Sequence, residues 1–254
     1  TEAMMHMLCG SEAAIGWQYD QVPLHFERAG DRFEAIGDLR NACSQRLDAA
    51  IFLLDTADYE KSEALLRGIT EISDRLGFQP LSSVAHRALA SLLRLTDRPE
   101  ECIAAAQRAL DLSGVAGDLR VSGSAHVVLA QLYLSRHELV RANDDIEKAL
   151  ADLAKIPRFL ARALAVQSRI CMLRNDLAGA LRSSAQGYAI LQALTRLGTD
   201  EVLVRSAYAD VLERLGEEID ALEVLRTGRE RLQQQAAAIR DECRIAPATA
   251  GAGA

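Results

Sequence analysis

Aromatic residues make up only 4% of this 254-residue sequence, and its five prolines stand apart, at positions 23, 80, 99, 157 and 247. Few aromatics alongside abundant Ala and Leu disfavour strands and suit helices. Five cysteines, at 9, 43, 102, 171 and 243, form no CxxC pair and leave an odd number. A disulfide framework or zinc cluster is therefore not expected, and a reducing cytoplasm is the natural compartment. Long hydrophobic runs are also missing. The longest uncharged stretch, Val121 to Ser135, contains Ser, Gly, His and Gln and is too short and polar to span a bilayer. The opening TEAMMHMLCGSEAA has no basic region ahead of its apolar part, so it does not read as a secretion signal, and its start at Thr1 rather than Met suggests a piece of something longer. Nor is positive charge in excess: the formal net charge is −7, which gives no general attraction for nucleic acid or an anionic membrane. What is present is 49% hydrophobic residues, ample for a continuous core.

The apolar residues are arranged periodically. SSVAHRALASLL (82–93) is echoed by SGSAHVVLAQLY (122–133), which places His86 and His126 one interval of 40 residues apart. The same interval organises nearly the whole chain. Val22, Ser62, Cys102, Ala142, Ala180 and Ala221 follow one another at 40, 40, 40, 38 and 41 residues. Twelve residues before each lie Gly10, Ala50, Ala90, Ala130, Ser168 and Ala209, and seven after lie Ala29, Ile69, Ala109, Ala149, Gly187 and Gly228. Three columns of mostly small residues mark places where helix backbones approach closely. Larger apolar columns run between them, with Leu53, Leu93, Tyr133, Cys171 and Leu212 on the first helix of each unit and Phe26, Leu66, Ile146 and Leu225 on the second. Such interlocking is what a stacked helical hairpin requires. Pro80 and Pro157 open first helices, and Pro99, followed by two acids, opens a second helix. TADYEK, SRHELV, RNDLAG and RLGEEI join the helices within units, while DRLGFQP, SGVAGD and TRLGTD separate units.

This pattern resembles the tetratricopeptide repeat, a helix-turn-helix unit with small residues at its crossing points. LASLLRLTDRPEECIAAAQRALDL and AYADVLERLGEEIDALEVL carry the likeness best, and it covers roughly residues 2 to 236. The units depart from the commonest form in being about 40 rather than ~34 residues long, and in lacking the first-helix aromatic and the closing proline. ERAGDRFEAIGDLRNACSQR and LVRSAYADVLERLGEEIDALEVLRTGRERL are similar to repeat regions C-terminal to Ser/Thr kinase or ATPase modules in bacterial signalling proteins. The resemblance implies an all-α, right-handed superhelix (α-solenoid) of about six hairpins. Units are expected near 2–36, 39–77, 80–114, 118–154, 157–196 and 199–236, with a terminal helix extending to about 244 as a solubilising cap and a disordered tail over 245–254. The cap's apolar stripe reads as thin for a dimerisation helix.

Catalytic chemistry finds little support. His6, Arg46, His86, His126, Leu164 and Arg205 share one column, four residues before the small residue of each first helix. Side chains there are expected to pack their bodies and to offer their tips to a carbonyl or water. A pH- or metal-sensing ladder is the alternative, but no His or carboxylate stands four residues beyond His86 or His126 to complete a chelate. Cys102 and Cys171 sit in packing columns. Ser122, Ser124 and His126 lack an orienting acid and an oxyanion site, and no Lys-bearing glycine loop is present. No enzyme, cofactor or metal is expected.

The candidate site is the inner surface lined by the first helices. By register, the inward positions lie beside the small and histidine columns. They are Ser44, Leu47, Ile51 and Leu54, then Arg87, Ser91 and Arg94, then Ser124, Val127, Gln131 and Leu134, then Arg162, Arg169 and Met172, and last Asp210 and Glu213. This reads as an apolar entrance, a basic middle and an acidic exit, suited to a protein or peptide partner with acidic groups. The bland alternative is that Arg169 simply pairs with Asp210 on the next helix. The expected role is a regulatory scaffold attached to an upstream effector. A sensor of a small molecule or signalling peptide is the first alternative, and a phosphatase-like regulator the second. Met4, Met5, Met7 and Trp17 make the first unit a further candidate contact surface.

Overall fold

The computed structural model describes residues 2–16, 21–194 and 200–245. Trp17, most of the TRLGTD joint and the tail from 246 onward lie outside the described residues. Among the described residues there are twelve helices and no strand: α1 (Glu2–Gly16), α2 (Val22–Ala35), α3 (Leu39–Asp55), α4 (Tyr59–Leu76), α5 (Gln79–Leu95), α6 (Pro99–Ala116), α7 (Leu119–Ser135), α8 (Leu139–Leu153), α9 (Pro157–Leu173), α10 (Leu177–Ala193), α11 (Asp200–Leu215) and α12 (Glu218–Ile245). Each consecutive helix pair packs together. In addition, α3 packs on α5, α5 on α7, α7 on α9 and α9 on α11, whereas the even helices chiefly meet their hairpin partner and the following odd helix. The odd helices thus form the inner layer of an all-α repeat superhelix.

The turns repeat as faithfully as the helices. Within the hairpins, Ala57, Asp97, His137, Asn175 and Gly216 all have positive φ, and Gly37, Gly77 and Gly117 do so between hairpins. In each case one left-handed residue reverses the chain, and the residue after it precedes or caps the next helix. Asp38, Asp58, Asp118 and Asp176 each accept a hydrogen bond from a first-turn backbone N–H, which satisfies donors the helix leaves open. Pro80, Pro99 and Pro157 stand in first turns, where a missing N–H is harmless.

Every member of the three small columns that register identifies is buried. Two of the crossings carry hydrogen bonds between columns: Ser62 Oγ donates to the Ala50 carbonyl at 2.8 Å, and Ser168 Oγ to the Ala180 carbonyl at 3.0 Å. A Cβ placed on Gly187 would lie 3.3 Å from the Ala161 carbonyl oxygen, so close backbone approach dictates the small residue there. The main core runs continuously from Cys43 on α3 to Ile170 on α9.

The last hairpin departs from the sequence expectation. Leu225 occupies a column buried in earlier units, yet it is exposed, together with Ile219, Leu222 and Leu232 of α12. Among the described residues no odd helix packs on this face of α12, and the leucines that the repeat pattern places there stand exposed. The apolar stripe is therefore broader than the polar texture of the helix suggests. At the other end, Met4, Met5 and Leu8 of α1 are exposed.

Candidate functional site

The inner helices enclose a cavity of about 1310 Å³, lined from α3 through α5, α7 and α9 to α11, with Tyr59 at its edge. Ser44 of α3 and Leu203 of α11 face the same space, so the inner layer curves around it. Six arginines line it, Arg40, Arg87, Arg94, Arg120, Arg158 and Arg162, against three carboxylates, Asp48, Asp55 and Asp200. A chain of net charge −7 thus concentrates positive charge inside. Apolar wall is supplied by Leu47, Ile51, Leu54, Leu81, Val84 and Phe159. The Arg120 guanidinium lies over the Phe159 ring, 5.9 Å from its centroid, a cation–π placement that holds both side chains on the wall.

The arginines are unequally compensated. Arg162 donates to Gln131 at 3.2 Å and faces Asp200 at 3.5 Å. Arg120 is 3.4 Å from Asp118. Arg87 and Arg94 have no hydrogen-bond or ion-pair partner among the described residues, and the Nε atoms of Arg94 and Arg162 are buried without one. Burial, with Arg162 and Arg120 adding repulsion, pushes the Arg87 guanidinium down to about 10. Burial and Arg162 lower Arg94 in the same way. Arg87 remains charged at neutral pH. Asp48 shifts in the opposite sense: the residue is exposed toward the cavity, yet the protein around that space desolvates its carboxyl and raises it to about 6.

A second, smaller cleft of about 270 Å³ adjoins the inner face further along α7, α9 and α11. It is lined by Leu134, Ser168, Arg169, Met172, Leu173, Ala207 and Asp210. Arg169 faces Ser206 at 3.5 Å rather than forming the ion pair with Asp210 that the sequence offers.

The fold therefore divides the residues singled out by register. Arg87, Ser91, Arg94, Gln131 and Arg162 line the large cavity, as do Ser44, Leu47, Ile51 and Leu54. Arg169, Met172 and Asp210 belong to the second cleft. Ser124 lines neither, because its hydroxyl turns back to the Arg120 carbonyl at 2.7 Å; Val127 is buried, and Glu213 is exposed outside both. The entrance is also not simply apolar, since Arg40, Asp48 and Asp55 stand there. Register reasoning missed Arg120 and Arg158, although Arg40, Pro80, Arg120 and Arg158 fall in one column at 40, 40 and 38 residues. That column was legible.

The histidine column proves to be an inter-helix packing device. His86 Nε2 meets Asp74 at 3.1 Å and His126 Nδ1 meets Asp145 at 2.8 Å, while Arg46 bonds Asp31 and Glu34 and Arg205 bonds Glu201. These four tips find carboxylates, and that of Arg205 also reaches the Val224 carbonyl at 3.4 Å. Among the described residues, no group of three His, Cys, Asp or Glu is arranged to hold a metal. Cys43 and Cys102 are buried free thiols, and burial drives Cys102 up to about 11, away from nucleophilic reactivity. No described helix is long and apolar enough to cross a membrane.

No protein-family model matches the sequence, and no curated protein matches it. Solved structures do. The apo form of RapI is similar at 14% identity and a TM-score of 0.73, over 94% of this chain and 85% of that one. A Rap protein complexed with Competence and Sporulation Factor is similar at 11% identity and 0.62, over 93% and 76%. The TPR-like repeats of a Podosopora anserina kinesin light chain are similar at 15% identity and 0.52, over 80% and 97%. At such identities the likeness is one of fold, and the fold is that of the tetratricopeptide-like repeat proteins.

Proposed function

We propose that this protein is a non-enzymatic interaction module whose inner cavity receives a peptide or protein segment bearing acidic groups. The carrying observation is the excess of arginines over carboxylates in a cavity built from five successive first helices of an acidic chain. Guanidinium groups held on helices present fixed forks to carboxylate or phosphate, and the apolar wall beside them suits the rest of an extended segment. A cytoplasmic bacterial signalling setting, with an effector module attached upstream, agrees with the texture of the repeats.

A second reading, a sensor that closes around a signalling ligand and passes the change to an effector, is favoured by the fold neighbour complexed with Competence and Sporulation Factor. Both readings place the ligand in the same cavity.

The test is an array of acidic and basic peptides probed with the parent chain, an Arg94→Glu/Arg162→Glu variant and an Arg182→Glu control. Arg182 is exposed on outer helix α10. Acidic peptides are expected to bind the parent and the control but not the cavity variant, whose helical spectrum stays intact. Equal binding by all three sinks the cavity and makes the exposed Met4, Met5 and Leu8 surface the better candidate.

A further inference from the structure

Arg87 and Arg94 stand out among the half-buried charges of this molecule. Elsewhere the fold gives such groups a counter-ion: Arg46, Arg205, His86 and His126 each face a carboxylate at 3.1 Å or less. Arg87 feels Arg162 and Arg120 more strongly than the carboxylates Asp200 and Asp55, and neither it nor Arg94 has a hydrogen-bond or ion-pair partner among the described residues. A guanidinium drawn partly out of water and left unpaired destabilises the fold unless something completes it. Three of the cavity arginines, Arg87, Arg120 and Arg162, come from successive first helices; Arg120 and Arg162 have a carboxylate at 3.4 Å and 3.5 Å respectively, while Arg87 has only their repulsion and the weaker pull of Asp200 and Asp55. Across the whole cavity six arginines stand against three carboxylates, an excess that calls for more negative charge than one carboxylate carries. A phosphate monoester near neutral pH carries up to two charges and offers three acceptor oxygens.

The second cleft supplies a further constraint. Along α9, Arg169 lies seven residues beyond Arg162, two helical turns or about 10 Å away. The cleft's Leu134, Met172, Leu173 and Ala207 make it mostly apolar. An extended chain advances about 3.3 Å per residue, so three residues span the distance.

Resting on the cavity reading above, we infer that the arginines Arg87, Arg120 and Arg162 form a subsite for a phosphate-type dianion, and that an apolar side chain about three residues along the same extended ligand enters the cleft at Leu134 and Met172. The subsite selects the charge and the cleft sets the register.

Calorimetric titration at matched ionic strength tests this with inorganic phosphate and four capped tetrapeptides: phosphoserine-Gly-Gly-Leu, phosphoserine-Gly-Gly-Gly, Ser-Gly-Gly-Leu and Glu-Gly-Gly-Leu. The phosphorylated leucine peptide is expected to bind at least about tenfold more tightly than any of the other probes. Arg87→Met should remove about tenfold or more of that affinity and Leu134→Ser only the advantage conferred by leucine, with the melting temperature of both variants followed as a folding check. Arg120→Met, at a second arginine of the subsite, repeats the charge test should Arg87→Met unfold. Inorganic phosphate binding as tightly as the phosphopeptide means a free phosphate site and overturns the register. A glutamate peptide binding as well as the phosphorylated one, with both lost in Arg87→Met, overturns the phosphate subsite but leaves the acid-binding cavity standing. If no phosphorylated probe binds, or Arg87→Met binds as the parent does, the subsite is wrong; silence of acidic peptides in the array is what brings down the cavity reading itself.

Discussion

Positions 86 and 87, adjacent on α5, belong to different worlds. His86 points between helices and finds Asp74 at 3.1 Å; Arg87 points into the cavity and finds no partner among the described residues. The contrast extends along the solenoid. Arg205 is buried against Glu201 at 2.9 Å, with the Val224 carbonyl at 3.4 Å and Tyr188 Oη at 3.5 Å. Its space is kept by Gly228, where a Cβ would lie 2.6 Å from Arg205 Cδ. Charges buried between helices are thus matched by the fold itself, because an unmatched one there has no later remedy. Of the charges facing the cavity, Arg87 and Arg94 are left without a partner among the described residues, and on the proposed function a ligand completes them. On that same function, stability is concentrated in the first set and binding in the second.

The largest expected effect breaks this division directly. Arg205→Met strands the buried Glu201, whose remaining cation is Arg231 at 3.4 Å, and should cost about 3 kcal/mol, read by urea denaturation. Arg87→Met should leave stability within about 0.5 kcal/mol of the parent or raise it, since it removes an unpaired charge. Equal losses in the two variants would erase the distinction between the columns.

An intermediate effect tests the register that separates the columns. Ala130 is fully buried at a crossing within the α7/α8 hairpin, and Ala130→Leu should overpack it at about 1–3 kcal/mol. Denaturation curves matching those of the parent would show that the crossing is not where backbone approach places it.

The smallest effect sharpens the cavity side through pH. Asp48 is held up to about 6 when folded, against an ordinary value of 3.8, by desolvation. A carboxyl raised in the folded state binds protons more tightly folded than unfolded. Stability therefore falls as pH rises from about 4 to about 6 and changes no further above that. Asp48→Asn removes the fall. The variant should melt higher than the parent at pH 7.5 and together with it at pH 3.5; parallel melting curves across the whole range would show that Asp48 is freely solvated.

Much of this division was legible in the chain alone. A small residue recurring every 40 residues at three offsets has one economical physical meaning, a backbone crossing, and all eighteen positions from Gly10 to Gly228 are buried. Turns were legible for the same reason. A reversal of this kind needs one residue tolerant of positive φ, and Gly37, Gly77, Gly117, Asn175 and Asp97 are of the types that supply it. Ala57 and His137 adopt the same conformation without that help, so there the neighbouring helices impose it.

Local periodicity determined which face of each first helix turns inward, and with it Arg87, Ser91, Arg94, Gln131 and Arg162. It did not determine which inward residues meet. Whether Asp200 and Leu203 of α11 share a space with Arg40 of α3, or Arg169 takes Ser206 in place of Asp210, depends on rotations between successive hairpins accumulated over four units. Each rotation is set by how side chains of neighbouring units interlock. Asp48 shows the limit most plainly: its column otherwise holds Ala88, Val128, Val166 and Ala207, all buried, and only the curvature of the stack opens a cavity at that point and gives its carboxyl somewhere to face.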